Sequence, residues 1–237
     1  MKRVEKVARI LRHRGFWRGL VVGTYAAVEH EHVIRNLDIA SAVDIGANRG
    51  QFSLLLSGLL PSVRIYAFEP LSRPASAFRR LFGTSSRVTL YQEAIGAAEM
   101  TTGMYVSRHD DSSSLLPSSA LQHEIFPGTE SVAEEQVHVV PLDQRLGPQD
   151  LLEPALLKLD VQGYELAALR GCESLLNRFA HVYVEISFRE LYLGQPLAGE
   201  VIEFLNRRGF DPTGIYNVVS DSRGLAVQAD CMFERKL

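Results

Sequence analysis

The chain is short of cysteine, long apolar runs and net positive charge, and each shortage removes a class of function. Its only cysteines, Cys172 and Cys231, lie far apart in 237 residues. So few fit a reducing compartment and two buried thiols, not a disulfide scaffold, and the protein is read as cytoplasmic. No stretch approaches the roughly 20 apolar residues that a spanning helix needs. One of the longest, GLVVGTYAAV at 19–28, is too short. The basic N-terminus interleaves charge with apolar residues, and no small-residue cleavage site follows a clean apolar core. No signal peptide is read there. Net charge is −3. A protein that grips phosphate backbones would show a dominant basic face, so nucleic acid is not expected as a partner. Repeats and low-complexity tracts are also missing.

With 46% hydrophobic residues the chain can bury a full core. That suits one large domain or a domain with an extension. Residues 1–37 form the extension and 38–237 the domain. In the first segment Val4, Val7, Ala8, Ile10 and Leu11 recur at helical spacing, while Lys2, Arg3, Arg12, Arg14 and Arg18 make the other side basic. This reads as a solvated helix docked on the domain, or as a lid, a dimer arm or a membrane-surface contact.

From residue 41 strands alternate with helices. SAVDIG (41–46), VRIYAF (63–68), RVTLYQEAIG (87–96), ALLKLD (155–160) and HVYVEISF (181–188) read as strands. Helices follow most of them, with Ser72 as a cap, Pro74 in the first turn and Gly83 at the end of one. TGIYNVVS and AVQADCMFER read as a closing antiparallel hairpin. The pattern predicts an α/β fold, a mostly parallel twisted sheet with helices on both faces. Between two further strands, TTGMYVSR and EQVHVVPLDQRL, lies a Ser-, Pro- and Asp-rich loop over 107–136. Polar loops of that length are usually functional or disordered.

The most informative stretch is VDIGANRG. Strand, glycine turn and helix in that order place backbone N–H groups and a positive helix end at the sheet's C-terminal edge, where open α/β sheets bind ligands. About 20 residues on, Glu69 ends the second strand in AFEP. An acid at that spacing can accept hydrogen bonds from two adjacent ribose hydroxyls. The dinucleotide fingerprint G-x-G-x-x-G is absent; the turn is Asp44-x-Gly46-x-x-x-Gly50. An acid on the first strand suits a cationic ligand better than a pyrophosphate. S-adenosylmethionine has a ribose, an amine, a sulfonium and no phosphate, so the pattern favours methyl transfer.

The ordered elements VDIGANRGQFSLLL, IYAFEPLSRPASAFRRL, VTLYQEAIG, DSSSLL, VVPLDQRL, LLKLDVQGYELAALRGCESLL and VYVEISF resemble the FkbM-type methyltransferases from about residue 41 to 188. The resemblance implies a class I, Rossmann-like fold and transfer of a methyl group from S-adenosylmethionine to a hydroxyl oxygen, often on a sugar or secondary metabolite. Gln162 and Glu93 depart from the commoner pattern, which has glutamate and asparagine or another polar residue there. Together with the geometry, the resemblance places Asp44, Gly46, Ala47, Asn48 and Gly50 around the methionine end and Glu69 on the ribose. Pro70 fixes the exit of that strand, and Glu93 and Ala94 lie at the adenine edge.

Alignment of the reactants alone can contribute about 7–11 kcal/mol. A base that takes the acceptor proton adds about 10²–10⁴-fold. Asp160, Glu185 and His109 are the candidates. Glu165 either has a chemical role or simply favours a positive helix end. Asp160, Glu165 and Glu185 offer oxygen ligands for Mg²⁺, but no dedicated motif accompanies them and no metal ligand is assigned. His30, His32, His123, His138 and His181 have no comparable context. The expected acceptor is a small molecule or carbohydrate with a free hydroxyl, its site shaped by the 107–136 loop and the N-terminal helices. Two alternatives stand beside this: an NAD-dependent oxidoreductase or epimerase, and a catalytically silent protein that keeps the fold. No Tyr-x-x-x-Lys pair supports the former.

Overall fold

Strand β1 (Ser41–Ile45) is buried along its whole length, aspartate included. A strand apolar on both faces belongs in the middle of a parallel sheet covered by helices on each side. The computed structural model, which describes Ile10 and residues 13–236, shows this arrangement. The elements in chain order are α1 (Trp17–Val22), α2 (Glu31–Ile34), β1, α3 (Gln51–Leu59), β2 (Arg64–Phe68), α4 (Ser72–Phe82), β3 (Val88–Tyr91), β4 (Ala94–Ile95), β5 (Met100–Ser107), α5 (Ala120–Ile125), β6 (Ser131–Val140), β7 (Ala155–Leu159), α6 (Glu165–Gly171), β8 (His181–Ser187), α7 (Ala198–Asn206), β9 (Phe210–Ser220) and β10 (Ala226–Arg235). Seven strands form one sheet in the order β3-β2-β1-β7-β8-β10-β9. β3 through β8 run parallel, and β10 and β9 form the antiparallel hairpin expected at the edge. The chain order reverses between β1 and β7, which makes their C-terminal ends the switch point.

Two hydrophobic clusters cover the two faces. One joins α6 and α7 to residues such as Val43, Leu157, Val184 and Phe233. The other joins α3 and α4 to Ala42, Ile65, Leu156 and Tyr183, together with Phe16, Ala26, Val28 and Ile34 from the N-terminal segment. That segment is thus continuous with the core. Its described part is not one helix: α1 stops at Gly23, whose φ of 72° ends the helix in the left-handed region. Arg14–Phe16 and Val28–His30 are single 3₁₀ turns. The spaced apolar residues Val4, Val7, Ala8 and Leu11, and the basic Lys2, Arg3 and Arg12, lie outside the described residues. Among the described residues no helix is long and apolar enough to cross a membrane.

The predicted third strand divides. β3 pairs with β2, but Ala94 and Ile95 pair with Val139 and Val140 of β6 in a separate three-stranded sheet. The break falls at Glu93, whose carboxylate takes hydrogen bonds from Arg145 and His138 outside the main sheet. Ser72 is the first residue of α4, not its cap, and donates to Glu135. The long polar loop is ordered by a 3₁₀ turn at Asp110–Ser112 and by α5, capped by Ser119. Leu116, Leu121, Ile125 and Phe126 seat it on Leu191, Tyr192 and Val227. Both cysteines are free and buried.

Candidate active site

A cavity of about 260 Å³ opens where the chain leaves β1, β2 and β7. Its walls come from the turn after β1 (Gly46, Ala47, Asn48), the exit of β2 (Glu69, Pro70, Leu71) and the exit of β7 (Asp160, Val161, Gln162). Apolar cover comes from Ile45, Phe68, Ala94, Ile95 and Met104. Asp110, Asp111 and Ser113 enter from the polar loop, and Ala27 and His30 from the N-terminal segment.

The turn after β1 uses its own amides. Gly46 and Ala47 both donate to the Phe68 carbonyl at 3.0 Å, and Gly50 donates to Ala47. The Asn48 N–H goes to Glu69 at 2.9 Å, and that of Arg49 goes to the Asn48 side chain. None of the five is left to cradle a phosphate. Gly46 has a φ of 77°, and a Cβ there would lie 1.9 Å from the Asp160 carbonyl oxygen. The close approach of the β1 and β7 exits requires glycine. Gly50, at φ 92°, begins α3 against Phe78 and Phe82, so it shapes the turn without facing the cavity.

Glu69 is buried on the cavity wall. Its Oε2 accepts the Asn48 amide, and its Oε1 accepts that of Leu71 at 2.8 Å. Each oxygen retains a lone pair. Burial raises its carboxyl to about 7 against the pull of those two amides. The group is held in place by the backbone and stays costly to ionise, the condition of a carboxylate whose partner is a ligand.

Asp44 is fully buried beneath this wall and does not reach it. Ser53 donates to its Oδ2 at 2.7 Å, and Lys158 Nζ stands 3.1 Å from its Oδ1. Lys158 faces the cavity in its place, bonded to the Gly46 carbonyl at 3.2 Å and 3.9 Å from Asp160. Burial alone would lower this ammonium, but the charges of Asp44 and Asp160 carry it above its ordinary value. Asp44 therefore balances a protein cation instead of meeting a ligand's.

A family model described as the methyltransferase FkbM domain matches residues 44–212. The chain belongs to this family. It is 27% identical over 207 residues to 2-O-methyltransferase NoeI from Sinorhizobium fredii (strain NBRC 101917 / NGR234), covering 82% of this chain and 83% of that protein. It is 30% identical over 148 residues to Methyltransferase 1 from Beauveria bassiana (strain ARSEF 2860), covering 57% and 59%. A solved structure from Clostridium thermocellum, assigned to the rRNA methylases, superposes with a TM-score of 0.50 at 11% identity over 88% of this chain and 94% of that one. The protein is a methyltransferase with the class I, Rossmann-like sheet.

In this methyltransferase the expected site residues separate into those on the wall and those behind it. Gly46, Ala47, Asn48, Glu69, Pro70, Ala94 and Asp160 line the cavity. Glu93 does not: bonding to Arg145 and His138 turns its carboxylate away and holds it below the usual range. His109 packs beside Gly128, although its neighbours Asp110 and Asp111 reach the cavity. Glu185 sits behind Gln162, which donates to it at 3.3 Å, and takes a second hydrogen bond from Gln228 at 2.9 Å. Burial, with the charges of Asp160 and Glu165, pushes its carboxyl well above the ordinary range. Glu165 accepts from the Val161 and Gly163 amides, tying the β7 exit to the start of α6. Its carboxylate is spent on that loop, and burial raises it to about 7.

Sequence reasoning did not single out Lys158, Arg49 or His30. Arg49 Nε reaches Asp110 at 3.1 Å, closing the turn after β1 onto the polar loop. The one available signal for Lys158 is a charge inside the apolar run ALLKLD.

Proposed function

We propose that the cavity binds S-adenosylmethionine and that the protein transfers its methyl group to a hydroxyl oxygen of a sugar or a sugar-bearing small molecule. The observation that carries this reading is the pairing of a buried, backbone-anchored Glu69 with a turn whose amides are all satisfied. That combination favours a ligand with a vicinal diol and no phosphate at the turn. Gly46, Ala47 and Asn48 then flank the methionine portion. Leu71, Phe68, Ala94, Ile95 and Met104 give the apolar surface an adenine needs. Bound there, the donor supplies an activated methyl carbon. The protein's work is to hold the acceptor oxygen in line with that carbon and to exclude water, the largest contribution such a site can make. Asp110, Asp111 and Ser113 put hydrogen-bonding groups of a kind that suits a polyol on the acceptor side. A 2-O-methyltransferase among the relatives agrees with oxygen as the acceptor atom.

Calorimetric titration with S-adenosylhomocysteine, with NAD as the control, tests the donor half. Micromolar binding of the first and none of the second is expected, and the reverse would replace this reading with the dinucleotide one. Labelled S-adenosylmethionine offered to methyl glycosides, oligosaccharides and a structured RNA tests the acceptor half. Label in the RNA alone would overturn the sugar assignment.

A further inference from the structure

His30 enters the cavity wall from the N-terminal segment with one nitrogen committed to the sheet and the other left open. Its Nδ1 lies 2.9 Å from Tyr183 Oη and 3.4 Å from Asp230 Oδ2. Asn217 Nδ2 donates to the same Asp230 oxygen at 2.7 Å and also stands 3.1 Å from His30 Nδ1. The ring meets Phe52 edge-on at 5.6 Å between centroids and Tyr183 in the same way, and these two rings hold its plane. Nε2 has no hydrogen-bond partner among the described residues, and the side chain keeps 19% of its surface exposed. Asp230 is held below its ordinary range: burial would raise it, but hydrogen bonds from His30, Asn217 and Tyr183 more than offset that. Tyr183 and Asp230 present oxygens to Nδ1 and Asn217 an amide donor; the carboxylate favours the proton on Nδ1, which leaves the Nε2 lone pair open.

The three bases expected from the sequence are worse placed. The Asp160 carboxylate is engaged by Gln162 at 2.7 Å and lies 3.9 Å from the Lys158 ammonium. Glu185 stands behind Gln162, and His109 is away from the cavity. We propose that His30 is the general base for the acceptor hydroxyl, with Tyr183 and Asp230 as positioning residues. This rests on the assignment of the cavity to S-adenosylmethionine and an alcohol acceptor. In the step, a lone pair of the acceptor oxygen forms the bond to the methyl carbon. The methyl–sulfur bond breaks with its electron pair kept by sulfur. The hydroxyl proton passes to His30 Nε2. The imidazolium so formed faces the Asp230 carboxylate until it returns the proton to solvent.

The test uses the full-length protein labelled with ¹⁵N-histidine and saturated with S-adenosylhomocysteine. Ring nitrogen signals assigned by His30→Asn should show Nδ1 protonated and Nε2 bare, and Asp230→Asn should erode that preference. A ring that carries its proton on Nε2 in the wild type overturns the proposal. On any methyl glycoside turned over, His30→Asn should lower kcat by about 10²–10⁴-fold with S-adenosylhomocysteine affinity unchanged. Full kcat in that variant also overturns it. If His30→Asn loses its melting transition, Asp230→Asn, which keeps the imidazole, carries the decision: reduced kcat with intact ligand affinity supports the proposal, and unchanged kcat sinks it. Failure of the wild type to bind S-adenosylhomocysteine would instead strike the reading of the cavity, and the ring tautomer remains a separate result.

Discussion

Replacing Glu69 by glutamine should change how stability responds to pH. In the native protein burial raises this carboxyl to about 7 from an ordinary value of 4.5. Between those values the folded chain holds a proton that the unfolded chain has released. Stability therefore falls as pH rises through that window, by about 1.4 kcal/mol per unit for one such group. The interval of roughly 2.5 units gives about 3 kcal/mol, complete once the pH passes the folded value. Glutamine cannot ionise, so the variant lacks this slope. Its absolute stability is offset at every pH by an amide group opposing a backbone N–H, and that constant drops out of the comparison. Glu165, also raised to about 7, contributes the same slope to both proteins and cancels. Urea unfolding at pH 5, 6, 7 and 8 gives the two curves. The wild type should lose about 2.5 kcal/mol relative to the variant across the range, the first part of the effect being already spent at pH 5. Parallel curves would refute the reasoning, because they would mean that Glu69 ionises as easily folded as unfolded. The same argument extends to binding. Two ribose hydroxyls donating to Glu69 favour its charged form, so S-adenosylhomocysteine should bind more weakly below pH 7 and release a proton on binding. Calorimetry in two buffers of different ionisation enthalpy measures that proton, and Glu69→Gln should abolish it.

Lys158→Met leaves Asp44 buried without its cation and should cost about 3–5 kcal/mol in urea unfolding, part of which Asp44→Asn restores in the double variant. Gly46→Ala drives a methyl group against the Asp160 carbonyl and should give no folded protein by circular dichroism. Gly103→Ala meets only the end of the flexible Glu134 side chain and should fold, so it serves as the control. Arg49→Ala opens the contact between the turn after β1 and Asp110; a melting shift worth about 1 kcal/mol or less, with faster release of S-adenosylhomocysteine by stopped flow, is expected.

The cavity wall at the exits of β1 and β2 was legible because its residues sit where local signals coincide. Gly46 and Glu69 each follow an apolar strand, and a strand's exit places a side chain at the sheet edge whatever its neighbours are. Lys158 was not legible in that way. Its meaning depends on the parallel register that sets Asp44 opposite Lys158, and no window of sequence spans both strands. The same register changes the role of Asp44, which read as a ligand-facing acid until its cation was found beside it. His30 is harder still, since its partners are Tyr183, Asn217 and Asp230, brought together only when β8, β9 and β10 close the sheet. Glu93 misled because RVTLYQEAIG has the composition of one strand. The acidic and amide pair at its centre was the available hint that the chain leaves the sheet there.

The N-terminal segment ties the core to the cavity. Phe16 packs so closely on α3 that a Cβ at Gly58 would come within 2.3 Å of its ring. The same helix carries Phe52, whose ring meets His30 and lies 5.5 Å from the Lys158 ammonium. Burial of Phe16, Val28 and Ile34 thus fixes the far wall of the cavity, while β1, β2 and β7 fix the near one. Around Lys158, the one buried lysine or arginine among the described residues, stand the carboxylates of Asp44, Asp160 and, further off, Glu69, Glu185 and Asp230. Burial is the first cause that raises the Glu69 and Glu185 carboxyls, and neighbouring carboxylates add to it. Asp230 instead is held below its ordinary range, because hydrogen bonds from His30, Asn217 and Tyr183 more than offset its burial. A cationic ligand entering between them would relieve the imbalance, and a phosphate would deepen it.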